Sequence, residues 1–590
     1  MKKFFATLLG AFVGTWLAFI IFGIVIFISG IISMASFSMS SFKSNIGSVN
    51  DKSVLLIDLY GQIPEYAQTA DFQMVINRDQ KTPDNLRDIL KAIKLAKTND
   101  NIKGIVVSCN SSSCGFATAK AIRDALIDFK TSKKWIYAYG DAITQGDYYI
   151  ASASDSIFMN PVGALEIHGI TSSIPFFKNT LEKIGVEMQV IRVGTFKSAV
   201  EPYMLTEMSE ANRLQTETYI NHLWDNVSES IAQSRNIERS LINEYADSLR
   251  MFDKAEVCVK QKFIDGLCYN HEFESKVRQT VGIEEDDDIN YVSVTDVLST
   301  DKPETSNNQI AVVYASGDID VSGQKNGINS DDLVPVILDL AKDDDIKGMV
   351  LRVNSPGGSA FASEQIWEAL EQFKAEGKKF AVSMGDYAAS GGYYISCGAD
   401  RIFAEPTTLT GSIGIFAVVP CAKGILTDKL GINFDFVQTN ANSDISTVKP
   451  LTATQRNAFQ RSINEGYELF TGRCAKGRNM DINKLKEIAE GRVWDATDAK
   501  RIGLVDELGN LDNAIKWVAK EAQIETDYVV SEYPETEPDF MDILLSAMSE
   551  SYYKMSLEKQ FGCLGTYMHE INAILNRDPI QCRMEYIEIK

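Results

Sequence analysis

The chain contains two similar halves, and this duplication limits the possible folds more than any other feature of its 590 residues. The segment Gly140 to Pro161 is identical at 10 of 22 positions to the segment Gly385 to Pro406. Shorter matches precede and follow this pair in the same order, at sequence offsets between 243 and 246. A preserved order with slowly drifting offsets indicates repeated domains. We therefore predict two homologous domains, at residues 50–300 and 308–540.

Short apolar runs alternate with helical patterns inside each half. The runs "GMVLRV" and "KKFAVSMG" are typical of buried strands. Between them, "SEQIWEALEQFK" places Ile366, Leu370 and Phe373 at helical spacing. Strands that alternate with helices predict an α/β fold in which most strands pair in parallel.

The N-terminus differs from the duplicated body. No residue from Phe4 to Phe42 is charged, and two lysines precede this run. An apolar run that exceeds the roughly 20 residues of a spanning helix predicts a cytoplasmic stub and transmembrane anchor at residues 1–42. A removed signal peptide is the weaker alternative, because its apolar region is only about 7–15 residues long. The lysines predict that the N-terminus is cytoplasmic and that the body lies on the other side of the membrane.

Composition narrows the range of functions. A net charge of −22 argues against a nucleic-acid partner, because phosphate binding requires clustered Lys and Arg. The nine cysteines include no C-x-x-C pair, which argues against a structural zinc site or a dense disulfide framework. No metal or nucleotide motif is evident, so we expect no cofactor. Residues 541–590 lie outside the duplication and form a C-terminal extension to which the sequence assigns no role.

The two halves differ where one of them carries a hydroxyl. Ser390 follows a predicted strand and precedes two glycines, whereas the matching residue of the first half is Gln145. A small nucleophile on a strand-to-helix turn suits acyl transfer, and the Gly391 N–H would face the developing oxyanion. A helix N-cap is the alternative interpretation of the same serine. The segment "NSPGGSA", which contains Gly358, likewise suits an oxyanion hole or an ordinary turn, and the first half has "NSSSCGF" instead.

A lysine shows the reverse pattern. Lys197 lies in "RVGTFKSAVEPY", and its counterpart in the second half is Ser443. The reciprocal losses predict one composite site, in which Ser390 is the nucleophile and Lys197 the base of a Ser–Lys dyad. Lysine can act as a base only when neutral, so we expect it to be buried between the domains. His168, one of four histidines, is a weaker candidate base and is expected to be structural or exposed.

Four motifs together resemble the signal peptide peptidase A family in its long, duplicated bacterial form. They are "GTFKSAVEP", "RVNSPGGSA", "GDYAASGGYYI" and "TGSIGIF", in this order. The resemblance implies Ser390 as nucleophile, Lys197 as general base, Gly358 and Gly391 as oxyanion donors, and Ser412 as the residue that orients the lysine. It also implies tandem ClpP/crotonase-like domains behind the anchor.

The same resemblance implies a homotetramer on the bacterial inner membrane, with its catalytic body on the periplasmic side. Its substrates would be signal peptides left in the membrane after preprotein processing, and other apolar peptides. A crotonase-like acyl-CoA enzyme is one alternative, although no basic patch for CoA phosphates is evident. A membrane scaffold without catalytic activity is another, although the intact serine and lysine argue against it.

Overall fold

The computed structural model describes residues 48–66, 83–302, 305–323, 327–534, 580–584 and 588–589. The predicted anchor at residues 1–42 lies outside this set, as does most of the C-terminal extension. Across the described ranges, no helix is both long and apolar enough to cross a membrane.

The first half is built on a six-stranded sheet whose neighbouring strands all pair in parallel. Aliphatic side chains dominate its central strands and are buried against helices. In order across the sheet, the strands are Gly266–Leu267, Ser156–Met159, Trp135–Gly140, Ile102–Ser113, Ser53–Gln62 and Tyr291–Val292.

Helices of the first half begin at polar caps and bury one face. Asn85, for example, accepts a hydrogen bond from the Asp88 amide, and the helix that follows buries Ile89 and Ile93. The described helices of this half are Leu86–Thr98, Phe116–Lys130, Gln145–Ala151, Lys178–Ile184, Glu201–Met204, Glu210–Arg235, Arg239–Asp247, Glu256–Lys260, Asn270–Val281 and Val294–Leu298, with 3₁₀ turns at Ser198–Val200 and Arg250–Phe252.

The second half repeats this architecture, and its central strands confirm the predicted parallel pairing. Its strand order is Val493–Asp495, Leu409–Gly411, Lys379–Ala389, Ile346–Ser355, Gln309–Ser316 and Val529–Tyr533, with Arg401–Ala404 and Glu507–Leu508 branching from Lys379–Ala389. Only the pair at one edge, Leu409–Gly411 with Val493–Asp495, is antiparallel within this described sheet.

The predicted helix of the second half is confirmed. It spans Ala360–Ala375 and buries Ile366, Leu370 and Phe373. The other described helices of this half are Ser330–Lys342, Gly391–Ser396, Ala453–Gly477, Ile482–Ile488, Ala496–Arg501 and Leu511–Glu521, with a π-helical turn at Gly424–Lys429.

A third sheet joins the two halves. The first-half strand Glu187–Arg192 pairs antiparallel with the second-half strand Phe416–Cys421 over six residue pairs. Its full order is Ile328–Asn329, Ile319–Asp320, Gly357–Ser359, Ile580–Arg583, Phe416–Cys421 and Glu187–Arg192. A separate two-stranded ribbon pairs Ser172–Ser173 with Glu588–Ile589. The six-stranded third sheet therefore includes strands from both halves and from the C-terminal extension.

A buried ion pair crosses the contact between the halves. The Arg352 guanidinium donates to both carboxylate oxygens of Glu65, at 2.9 and 3.1 Å, and each side chain is only 4% exposed. The same guanidinium donates to the Ser383 hydroxyl and to the Met384 carbonyl. Such a pair is stable when buried only because further hydrogen bonds satisfy its remaining donors.

A second contact between the halves caps a helix. The Asp386 carboxylate of the second half accepts hydrogen bonds from the amides of Ala117 and Thr118, at 2.8 and 3.1 Å, and from the Thr118 hydroxyl. These amides belong to the first turn of the helix Phe116–Lys130, where a carboxylate is favourable. The contact between the two halves therefore includes charged and polar groups that become buried against each other.

Candidate active site

Ser390 lies on a strained turn between the strand Lys379–Ala389 and the helix Gly391–Ser396. Its backbone has φ 56° and ψ −111°, a region that residues other than glycine rarely occupy. Such strain costs on the order of 1–3 kcal/mol and is often found at functional sites. A hydrogen bond from the Ser390 amide to the Gly411 carbonyl, at 2.7 Å, holds the turn in place.

The first half supplies a lysine to this turn. Lys197 follows the strand Glu187–Arg192, which is paired with the second half, and only 1% of its surface is exposed. Its Nζ lies 2.8 Å from Ser390 Oγ, 3.0 Å from the Ser412 carbonyl oxygen and 3.1 Å from Ser412 Oγ. The predicted composite site is therefore formed within one chain, by a strand that crosses from one half to the other.

The three oxygens around Lys197 suit an amine that accepts a proton. A neutral amine can donate its two N–H groups to the Ser412 oxygens and turn its lone pair toward the Ser390 hydroxyl. Ser412 is itself fixed, because its amide donates to the Arg492 carbonyl at 2.7 Å. Glycine backbone packs against the lysine stem, since a Cβ at Gly491 would lie 2.7 Å from that of Lys197.

The two glycines predicted as oxyanion donors lie beside the serine. Gly358 belongs to the short strand Gly357–Ser359, and Gly391 directly follows Ser390. A side chain at Gly358 would clash with the Ile319 backbone, its Cβ lying 2.0 Å from the Ile319 carbonyl oxygen. Only glycine allows this close approach between the strand and the Ile319 backbone.

Sequence patterns did not identify Gln215, which braces the lysine turn. Its side-chain amide donates to the Ser198 hydroxyl at 2.9 Å and to the Phe196 carbonyl at 3.3 Å. Its oxygen accepts from the Val493 amide of the second half at 3.1 Å. Gln215 lies in a long helix of mixed polarity, where no local signal distinguishes it from exposed glutamines.

The matching place in the first half is arranged differently. Gln145, the counterpart of Ser390, accepts hydrogen bonds from the amides of His168 and Gly169 and donates to the Gly169 carbonyl. The His168 ring is 35% exposed and lies 3.6 Å from Glu166. His168 thus lies beside Gln145 and Glu166, and it is partly exposed as predicted.

One group among the described residues has the geometry of a possible metal site. Ligand atoms of His222, Asp495 and Asp498 lie within 4.8 Å of one another. Asp495 already has two other roles, because it caps the helix Ala496–Arg501 and pairs with His222 Nδ1 at 2.7 Å. These contacts account for the cluster as a polar brace between the halves. The eight cysteines in the described ranges are free.

A buried serine that contacts a buried lysine, beside a glycine-built strand on a duplicated α/β frame, defines a class of serine hydrolase. The family model "Peptidase family S49" matches residues 128–284 and 372–525, and the model "Clp protease" matches residues 301–408. The chain belongs to peptidase family S49 and is a serine peptidase. The predicted resemblance to signal peptide peptidase A is thereby confirmed, as is a mixed α/β fold with a ClpP-like domain.

Curated relatives match over most of the chain. Protease 4 of Salmonella typhi is 34% identical over 520 residues, covering 85% of this chain and 84% of the relative. Protease 4 of Haemophilus influenzae is 33% identical over 507 residues, covering 83% and 82%. The chloroplastic serine protease SPPA of Arabidopsis thaliana is 29% identical over 492 residues, covering 81% and 70%.

Proposed function

We propose that this serine peptidase uses Ser390 and Lys197 as a catalytic dyad, with Gly358 and Gly391 as oxyanion donors. The observation that carries the proposal is the 2.8 Å contact between Lys197 Nζ and Ser390 Oγ, inside a site where both residues are buried. A serine hydroxyl attacks a peptide carbonyl only when a base removes its proton, and burial disfavours the charged form of a lysine.

The proposed reaction proceeds in two stages. Ser390 Oγ attacks the substrate carbonyl while its proton passes to Lys197, and Ser412 holds the amine in line. The Lys197 ammonium then protonates the leaving amine, which leaves an acyl ester on the serine. Water, deprotonated by the same lysine, hydrolyses the ester and regenerates the hydroxyl. In both stages the backbone amides of Gly358 and Gly391 stabilise the tetrahedral oxyanion.

We further propose that the substrates are signal peptides left in the membrane, and other apolar peptides. Support comes from the apolar run before residue 43, which would hold the site close to such fragments. Two lysines before that run favour a cytoplasmic N-terminus and a periplasmic catalytic body. We also propose that the protein assembles as a homotetramer on the inner membrane. A reporter fused after Lys590 should be active only outside the cytoplasm.

The decisive experiment replaces the nucleophile. Ser390→Ala should abolish cleavage of an apolar reporter peptide and labelling by a fluorophosphonate probe, while folding and assembly remain intact. Ser396→Ala is a matched control, because Ser396 is equally buried in the adjoining helix but donates its hydroxyl to the Gly392 carbonyl. Wild-type cleavage by Ser390→Ala would refute the dyad.

A further inference from the structure

We propose that a loop of the second half, residues 490–492, is the positioning element of the base. It holds Lys197 and Ser412 at the separation and angle that proton transfer requires. The proposal rests on the function proposed above, and it deepens that function by assigning a role to three residues outside the four sequence motifs. The 490–492 loop lies between the helix Ile482–Ile488 and the strand Val493–Asp495.

The loop has a backbone conformation that is costly for one of its residues. Glu490 and Gly491 both have positive φ, at 51° and 77°. Residues other than glycine rarely adopt this region, and such strain persists only where the surrounding contacts enforce it. The contacts that enforce it here include the turn that carries Lys197 and the turn that carries Ser412.

On one side, the loop holds the backbone around Lys197. The Phe196 amide donates to the Glu490 carbonyl at 2.9 Å, and the Thr195 amide donates to the Glu490 carboxylate at 3.2 Å. Gly491 packs directly on the lysine, because a Cβ at Gly491 would lie 2.7 Å from Lys197 Cβ and 2.8 Å from Lys197 Cα. These contacts fix the point from which the lysine side chain reaches the serine.

On the other side, the loop holds the turn that contains Ser412. The Ser412 amide donates to the Arg492 carbonyl at 2.7 Å, and the Gly491 amide donates to the Ile413 carbonyl at 2.8 Å. Ser412 in turn contacts Lys197 Nζ through its carbonyl oxygen at 3.0 Å and its Oγ at 3.1 Å. One short loop therefore fixes both the lysine and the residue that orients its amine.

The Arg492 side chain fastens the loop to the lysine turn. Its guanidinium carbon lies 5.0 Å from the centroid of the Phe196 ring and 4.0 Å from that of the Trp494 ring. A guanidinium over an aromatic ring is attracted to it, more strongly when water is partly excluded, and Arg492 is half-buried. Because Phe196 directly precedes Lys197, this stack ties the lysine turn of the first half to a strand of the second.

A single methyl group tests the packing at Gly491. In the full-length protein, Gly491→Ala must displace the lysine backbone or the loop, because atoms 2.7 Å apart overlap. We expect kcat on the reporter peptide to fall roughly tenfold or more while KM changes less than about twofold, since a misplaced base slows the reaction step without weakening substrate binding. Intrinsic fluorescence and urea midpoints confirm that the assayed chains are folded.

Gly377→Ala is the matched control for this variant. Gly377 has φ 80°, close to that of Gly491, but a Cβ there meets no atom within 4 Å. The control therefore shares the backbone strain without the contact to the lysine, and its kcat should stay within about twofold of the wild type. Equal kcat values in Gly491→Ala and Gly377→Ala would overturn the proposal.

Substitutions at Arg492 test the loop without adding a clash, and they decide alone if Gly491→Ala does not fold. Arg492→Leu removes the guanidinium from both rings but keeps the main-chain bond to Ser412, so kcat should fall roughly three- to tenfold with KM unchanged. Arg492→Lys keeps a cation that can lie over the rings and should recover part of the loss. An unchanged kcat in Arg492→Leu, or a loss confined to KM, would overturn the proposal. Failure of the proposed function is seen separately, as reporter cleavage by Ser390→Ala equal to that of the wild type.

Discussion

Glu65→Ala should weaken the contact between the two halves. The contact and the activity should then both be lost at a lower urea concentration than in the wild type. The carboxylate accepts two bonds from Arg352 at 2.9 and 3.1 Å, and both side chains are 4% exposed. Removing one partner of a buried pair typically costs about 3–5 kcal/mol, because the other charge stays buried without compensation. Arg352 keeps its bonds to Ser383 and Met384, so we expect the lower end, about 3 kcal/mol.

The assay follows activity on a reporter peptide, together with intrinsic fluorescence, through a urea titration of the full-length protein. With an m-value of about 2 kcal/mol/M, a loss of about 3 kcal/mol lowers the midpoint by about 1.5 M. Activity should be lost at the same urea concentration as the contact between the halves, because Lys197 and Ser390 come from different halves.

A double variant separates the charge effect from the loss of packing. In Glu65→Leu with Arg352→Met neither charge of the pair is left buried, but the Ser383 hydroxyl and the Met384 carbonyl lose a donor and the Asn354 amide loses an acceptor. We expect a cost of about 1–2 kcal/mol, below that of the single variant. A single-variant cost under about 1 kcal/mol, or a double variant less stable than the single, would refute the reasoning.

Three further perturbations test the proposed base, the glutamine that braces it and a polar contact between the halves. Lys197→Arg should lower kcat/KM at least about 100-fold, nearly as much as Lys197→Ala, because a guanidinium does not deprotonate in proteins; near-normal rates in reporter assays would rule the lysine out as base. Gln215→Met should lower kcat roughly tenfold with little change in KM, because the lysine turn loses its brace to Val493; a changed KM alone would contradict a positioning role. Burial lowers the pKa of His222, but its hydrogen bond to Asp495 and the charge of that carboxylate outweigh this and raise it. The pair therefore stabilises the fold below about pH 6.5, and its contribution is lost as pH rises through the raised pKa. The contribution should stay under about 1 kcal/mol because His222 is 41% exposed, and urea midpoints across this pH range should lose that dependence in His222→Gln.

Comparison of the two halves of the sequence identifies two of the candidate site residues, whereas Ser412 was implied only by the family resemblance. Ser390 and Lys197 stand out because each is replaced in the other half, and the structure brings them within 2.8 Å of each other. The helical pattern around Ile366 is regular, which is why periodicity alone places that residue on the correct element. Gly358 was expected in an oxyanion hole or an ordinary turn, whereas it lies in the short strand Gly357–Ser359.

Features that depend on contacts between distant segments could not be predicted. Glu65 and Arg352 are 287 residues apart, and neither has a local pattern that marks a partner. The match between "KIGVEMQVI" and "KLGINFDFV" suggests equal structures, yet Glu187–Arg192 forms a strand while residues 433–438 do not. The first segment has Phe416–Cys421 as its partner, and β structure depends on such a partner more than on propensity.

The strand Glu187–Arg192, which crosses from the first half to the second, makes assembly of the serine and lysine a unimolecular event. Two separate chains that each carried one of these residues would lose activity on dilution, according to their dissociation constant. Within one chain, the second residue is present at an effective concentration set by the connecting segment and is unaffected by dilution. The specific activity contributed by the dyad should therefore be independent of enzyme concentration, even where subunits separate.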